Sequence, residues 1–332
     1  MKFTIIADSF EMVKGGIEKQ AEVLNNLLLS NNYASKLVSF PDVRLDEIDR
    51  DDILVIEGIH RVFLLRLIFR KKKNFSILFT HGSFYLWTDE GRHFIKSSGV
   101  PFPKLKRLFD LIFMKRILSK INLIVTLSEK ESTDLRSLFG ITSPYFFSLG
   151  NFSDEPDSTK YDVPKELETI KGKYLCYIGR LEKRKNPIAL VKAAAIVDMP
   201  VVLAGQDQGE LIQLENYCRE KNFNKLIYLG IITKDLKLAL ISFCNFMVIP
   251  SFFEGLPTVA LEAVKSGKQV ILTKYSYMDP HPCVSSVEPT AEDIAREIKT
   301  MSVETSCKTG FKSNQLVLEN LLNVIKRMYN NE

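Results

Sequence analysis

Apolar residues in this chain fall into short unbroken runs, and between the runs they recur every three or four positions. Lys2 to Ala7, Tyr33 to Phe40, Asp52 to Glu57 (DILVIE), Ser76 to Thr80 (SILFT), Asn122 to Leu127 and Pro144 to Leu149 are such runs in the first half. Runs of strand length without polar alternation fit strands covered on both faces, as in parallel sheets. Helical spacing separates them. Ile17 to Ser30 repeats at Ile17, Ala21, Leu24, Leu27 and Leu28, and Arg61 to Lys73 (RVFLLRLIFRKKK) reads as a basic amphipathic helix. Lys104 to Lys120 carries Leu105, Leu108, Phe109, Ile112, Phe113 and Ile117 on one side, a stripe expected to face the core with its lysines in water. Ser128 followed three residues later by Glu131 predicts a capping box for a helix to Phe139.

Asn151 to Thr169 is polar, aperiodic and contains two prolines, which reads as an interdomain linker. The alternation then restarts. Lys173 to Ile178, Pro200 to Ala204, Leu226 to Leu229, Phe246 to Ile249 and Gln269 to Thr273 are strands. Helices are expected over Pro187 to Ile196, Glu210 to Glu220, Lys234 to Ser242, Pro257 to Gly267, Ala291 to Thr300 and Asn314 to Tyr329. The reading is α/β: two Rossmann-like, doubly wound parallel-sheet domains. Their expected limits are 1–155 and 156–312, with the last helix, about 313–330, packing back onto the first domain.

Composition narrows the class without changing it. The chain has 332 residues, 45% hydrophobic and 26% charged, with a net charge of +5, a mild excess that attracts phosphates or an anionic surface. No zinc-finger spacing or RNA-binding fingerprint is present, so nucleic acid is not an expected partner. The five cysteines are scattered and never form a CxxC pair, which predicts reduced thiols and a cytoplasmic setting. MKFTIIADSF is broken too early by Asp8 for a signal peptide, and no apolar run is long enough for a membrane span.

The candidate chemistry sits at strand-to-helix loops, the ligand-binding edge of an open α/β sheet. Gly15 and Gly16 precede a helix and would let a phosphate approach backbone N–H groups, although two glycines before a helix are more often plain turn chemistry. His81 ends a strand, either in a ligand site or as a loop residue without a role. Arg180 and Lys185 lie in the turn after Ile178, where cations neutralise a diphosphate, or simply face water. Gly179, Gly205, Gly230 and Ser251 are brought to one edge by the repeated units. The densest stretch is Val248 to Val270, VIPSFFEGLPTVALEAVKSGKQV. Glu254 and Glu262, eight residues apart, flank a helix start opened by Pro257, with free N–H groups between two acceptors suited to hydroxyl-rich groups, or are simply a loop glutamate and a solvated helix glutamate. A nucleotide diphosphate sugar has the matching layout.

YIGRLEKRKNP, VVLAGQDQGEL, IYLG and the Val248 stretch, with Gly15-Gly16-Ile17-Glu18 and His81-Gly82, resemble the retaining glycosyltransferases of family four. The resemblance covers nearly the whole chain and is most specific at Glu254 and Glu262, which match the EX7E motif. It implies the GT-B fold, two Rossmann-like domains facing each other across a cleft. It also implies roles: Arg180 and Lys185 on the donor diphosphate with amides near Thr258 and Val259, Glu254 on the sugar, and Glu262 on the ribose. Gly205, backbone near Gly230 and Ile231, and Gly255 and Leu256 would complete the donor site; Gly15 and Gly16 would approach the phosphates, and His81 would stabilise the transferring sugar. No cofactor or divalent metal is implied, since the Arg180 and Lys185 charges serve instead. Three positions depart from the family pattern: Gly205 to Gly209 replaces GxG, Asn245 an aspartate, and Leu149-Gly150-Asn151 a PNG. The expected partners are a nucleotide sugar (UDP- or GDP-linked) and a saccharide or lipid-linked acceptor, with membrane contact through 61–73 and 104–120 at the inner face of the cell membrane. Two rivals stand beside this reading. One is a non-catalytic nucleotide-sugar-binding partner subunit of the same fold; the other is a dehydrogenase, against which the lack of GxGxxG counts.

Overall fold

The computed structural model describes residues 1–7, 16–69, 74–88, 91–92, 104–142, 145–153, 161, 165–301 and 313–330. The chain forms two compact units: Met1–Phe152 with Lys312–Glu332, and Ser153–Phe311.

The first unit contains β1 (Lys2–Ala7), α1 (Gly16–Ser30), β2 (Ala34–Ser39), β3 (Asp52–Glu57), α2 (Arg61–Phe69) and β4 (Ser76–Phe79). It continues with α3 (Lys104–Phe109), a π-helical turn (Asp110–Met114), α4 (Lys115–Leu118), β5 (Leu123–Thr126), α5 (Glu129–Phe139) and β6 (Tyr145–Ser148). The strands pair in parallel in the order β2-β1-β3-β4-β5-β6. Alternate residues of each strand face opposite layers. Phe3, Ile5, Ile53 and Val55 join one core with Ala21, Leu24 and Leu28, whereas Ile6, Leu54 and Ile56 join another with Phe63, Ile117 and Leu135.

The second unit contains β7 (Leu175–Ile178), α6 (Pro187–Val197), β8 (Val201–Ala204), α7 (Leu211–Glu220), β9 (Leu226–Tyr228) and α8 (Lys234–Phe243). Then come β10 (Phe246–Ile249), α9 (Thr258–Lys265), β11 (Gln269–Thr273), β12 (Val284–Val287) and α10 (Ala291–Thr300). Its sheet order is β12-β11-β10-β7-β8-β9, again all parallel. The order reverses between β7 and β10, so their two following loops open a crevice at the carboxyl edge. Helix α11 (Asn314–Tyr329) follows this unit in sequence, yet Val317, Leu318, Leu321, Leu322 and Ile325 complete the core containing α1.

Several expectations need correction. The linker starts later than Asn151, because Phe152 is 2% exposed and Gln20 clamps its backbone from both sides at 2.7 Å. Leu167 is likewise buried in the second unit. Ser128 caps α5 as expected, but the Glu131 carboxylate does not reach back to Ser128; it accepts from Leu127 and Gly82 N–H instead. β12, half polar and at a sheet edge, was not visible as an apolar run. Cys176, Cys218 and Cys244 are free thiols, whereas Cys283 is disulfide-bonded, against the expectation for that residue.

The largest correction concerns 104–120. The π turn rotates the helix so that Asp110, Met114, Ile117 and Leu118 are buried, while Leu108, Ile112 and Phe113 of the predicted stripe are exposed. The cause is polar. Arg61 donates to Asp110 from Nε at 2.6 Å and from Nη2 at 2.5 Å, and Trp87 Nε1 donates at 2.7 Å. A buried carboxylate with three donors overrides a surface choice between two apolar stripes. Arg61 is therefore not a solvent cation, and of the predicted helix 61–73 the positions after Phe69 lie outside the described residues.

Candidate active site

The crevice of the second unit is built by the loops after β7 and β10. In the first, Lys183–Lys185 form a 3-10 turn and Asn186 turns left-handed at φ 54°, delivering Pro187 as the first residue of α6. The Asn186 side-chain amide donates to Pro250 O at 3.0 Å and Pro289 O at 2.9 Å. Arg184 stitches the same two loops, its Nη1 donating to Phe253 O at 3.0 Å while its own carbonyl accepts from Phe252 N–H at 2.9 Å.

That stitching sets Glu254 beside cations. Lys185 Nζ lies 2.5 Å from Glu254 Oε1, Arg184 Nη1 lies 3.9 Å from Oε2, and the Ser251 hydroxyl donates to Oε1. Glu254 is 5% exposed. Burial alone would push its carboxyl up, but Lys185, Arg184 and Ser251 together outweigh this and hold it below the ordinary carboxylate value. The Glu254 backbone is fixed too, its N–H donating to Tyr275 O at 3.0 Å.

Arg180 does not join this cluster. Its side chain is 52% exposed and its nearest acidic contact is Glu182, at 3.5 Å. Thr258 and Val259 open α9, and the N-cap is Pro257 rather than the first helical residue, one position later than the sequence pattern suggested. Proline has no side chain that can cap, so these first amides receive no side-chain cap. Glu262, 1% exposed in α9, lies 2.7 Å from Lys237 Nζ of α8. Gly255 accepts at its carbonyl from Tyr277 N–H, at 2.9 Å, and Leu256 is the next residue of the same loop.

Gly205 and Gly230 sit on the loops after β8 and β9, and Gly205 N–H donates to Gly230 O at 2.7 Å. Gly205 has φ 138°, and a Cβ there would lie 2.0 Å from Gly179 O. Its glycine is thus required by loop-to-loop packing, whatever else it contacts. Gly230 needs glycine for its left-handed φ of 65° in otherwise open space, and the neighbouring Ile231 is 75% exposed.

The remaining predicted residues belong to the first unit. Gly16 begins α1, and Gly15 lies outside the described residues. His81 follows β4 in the left-handed region at φ 50°, with its side chain 7% exposed and Nε2 2.5 Å from Glu57 Oε2 at the end of β3. Beneath it, Glu131 accepts from Gly82 N–H and Leu127 N–H, each at 2.7 Å; burial pushes its carboxyl up even so.

Sequence reasoning overlooked Arg184, Asn186, Lys237 and Glu57, and placed Ser251 at the edge without its bond to Glu254. Arg184 carried a signal, since it lies in the same cationic turn as Lys185; Asn186, Lys237 and Glu57 meet their partners only through the tertiary fold. A cavity of about 480 Å³ lies beside the loop after β11, lined by Met278, Asp279, His281 and Ser286 among others, and none of the predicted residues lines it.

Residues 160–300 match the model of the family described as glycosyl transferases group 1. The serotype-specific mannosyltransferase WbdA of Escherichia coli is 27% identical over 176 residues, covering 45% of this chain, and the chain's match spans 20% of that relative's length. Sucrose-phosphate synthase from Thermosynechococcus elongatus superposes with a TM-score of 0.76 at 13% identity, covering 100% of both chains. Anabaena HepE in complex with UDP and glucose superposes with a TM-score of 0.65 at 14% identity, over 99% of this chain and 95% of that one. With its two all-parallel sheets the chain has the GT-B fold, and its residues 160–300 are similar to the glycosyl transferases group 1 family.

Proposed function

We propose that this chain is a retaining hexosyltransferase, class EC 2.4, that moves a sugar from a UDP- or GDP-linked donor to a saccharide or lipid-linked saccharide. The observation that carries the reading is the Lys185–Glu254 pair, buried between two loops at the switch point of a parallel sheet. Glu254 holds donor sugar hydroxyls, and Glu262 accepts from the ribose. Gly205, Gly230, Ile231, Gly255 and Leu256 provide backbone around the nucleotide, and Gly15 and Gly16 approach the phosphates. In the reaction the bond from anomeric carbon to diphosphate oxygen breaks and its electron pair leaves with the diphosphate. The acceptor hydroxyl oxygen bonds to the same face of that carbon, and its proton passes to the departing phosphate oxygen. Arg180, Lys185 and the amides of Thr258 and Val259 stabilise the leaving charge, so no divalent metal is needed. His81 stabilises charge developing on the sugar. A uridine nucleotide is the first donor to test, given that HepE is described with UDP and glucose. The product enters polysaccharide or glycoconjugate biosynthesis, and the protein works at the inner face of the cell membrane, touching it through 61–73 and 104–120.

The test is transfer by the Glu254→Gln and Lys185→Ala variants. Each is expected to lose about a hundredfold or more in rate, the scale of removing one group that stabilises developing charge, with circular dichroism unchanged. Full activity in either purified variant overturns the site assignment.

A further inference from the structure

The π turn Asp110–Met114 buries Met114 but faces its other three apolar side chains away from the core. Leu111, Ile112 and Phe113 are 47%, 57% and 41% exposed, and Leu108 just before them is 55% exposed. Helix α2 repeats the pattern, with Val62 56% and Phe69 79% exposed on either side of the exposed Arg66. Large apolar side chains grouped in water mark an interaction surface.

Charge selects what covers it. Over 61–73 and 104–120 the chain has one carboxylate, Asp110; it is 0% exposed and paired with Arg61. Lys115, Arg116 and Lys120 are exposed close to the turn. Apolar side chains among cations, with no exposed acid in either stretch, complement the surface of a negatively charged bilayer. A second copy seated on the same face would set these cations against their equals. The turn is also firmly held, because Asp110 takes donors from α2 and from Trp87. We propose that the π turn is a membrane wedge: Leu108, Leu111, Ile112 and Phe113 seat in the interfacial layer of an anionic bilayer, with Lys115 and Arg116 at the level of the lipid phosphates. This deepens the membrane contact of the proposed function and rests on it for its purpose.

The test uses the full chain with vesicles of phosphatidylglycerol and phosphatidylcholine in equal parts, in low salt, against vesicles of phosphatidylcholine alone. The wild type is expected to sediment with the anionic vesicles only. A Leu111→Asp, Ile112→Asp double variant is expected to bind about tenfold or more weakly with an unchanged melting temperature, since both side chains are exposed. Replacing Lys115 and Arg116 by Glu is expected to weaken binding and flatten its salt dependence. Absent wild-type binding overturns the wedge, as does full binding by the Asp double variant, which leaves charge adsorption alone. A concentration-dependent dimer dispersed by the same variant overturns it in favour of a second copy. Donor-induced thermal shifts on the same proteins separate this outcome from the transferase reading: a shift without vesicle binding removes the wedge only, and vesicle binding without a shift removes the donor site only.

Discussion

Glu254 shows how a single residue can be decided by its neighbours rather than by its type. A carboxylate that is 5% exposed would ordinarily take up a proton, yet Lys185, Arg184 and Ser251 hold it ionised. A lowered folded-state value means that the stabilisation is present above the ordinary value of 4.5 and is lost as pH falls through the lower folded value. Urea unfolding of the wild type and Glu254→Gln should therefore differ by a constant amount at neutral pH and converge in acid; a gap that widens on acidification would contradict this. Gly205 makes a purely steric counterpart. Gly205→Ala must place a Cβ 2.0 Å from Gly179 O at a φ of 138°, which should cost about 2–4 kcal/mol, read as a lowered urea midpoint. Spacing around a helix start singled out Glu254 and Glu262, and position in a loop singled out Lys185, each beside a solvated alternative that their largely buried ion pairs remove. That Lys185 pairs with Glu254 while Arg180 stays half exposed was not legible, because residues 69 apart meet only through the pairing of β7 with β10.

Among the elements, the buried parallel strands were the easiest to read. DILVIE, FMVI and QVILT are apolar on both faces and stand within the predicted limits, whereas the edge strand VSSV has too few apolar residues to stand out. The helix over 104–120 was misread for a different reason. Two apolar stripes compete on it, and Asp110 chooses between them by meeting Arg61 and Trp87, neither of them near it in sequence. Asp110→Ala leaves the Arg61 guanidinium without that partner in a site 18% exposed, and should cost about 3–5 kcal/mol in unfolding experiments. The exposed Leu111→Asp change should stay within about 0.5 kcal/mol of wild type. Equal losses in the two variants would refute the view that the polar cluster, not the apolar face, holds the turn.

For the whole molecule, a panel of nucleotide sugars examined by thermal shift should pick out the donor. A ligand present at about a hundred times its dissociation constant stabilises the fold by about 2.7 kcal/mol. No shift with any uridine or guanosine diphosphate sugar would remove the donor site. The connectivity has a consequence of its own. The second unit is continuous in sequence, but the first takes its last helix, α11, from beyond it. On the ribosome the second unit has all its strands before α11 emerges, so it can finish while its elder neighbour waits. A chain stopped at residue 311 should keep the second unit's unfolding transition and lose that of the first, left without Leu318, Leu321 and Ile325. The unit made first is thus the one completed last.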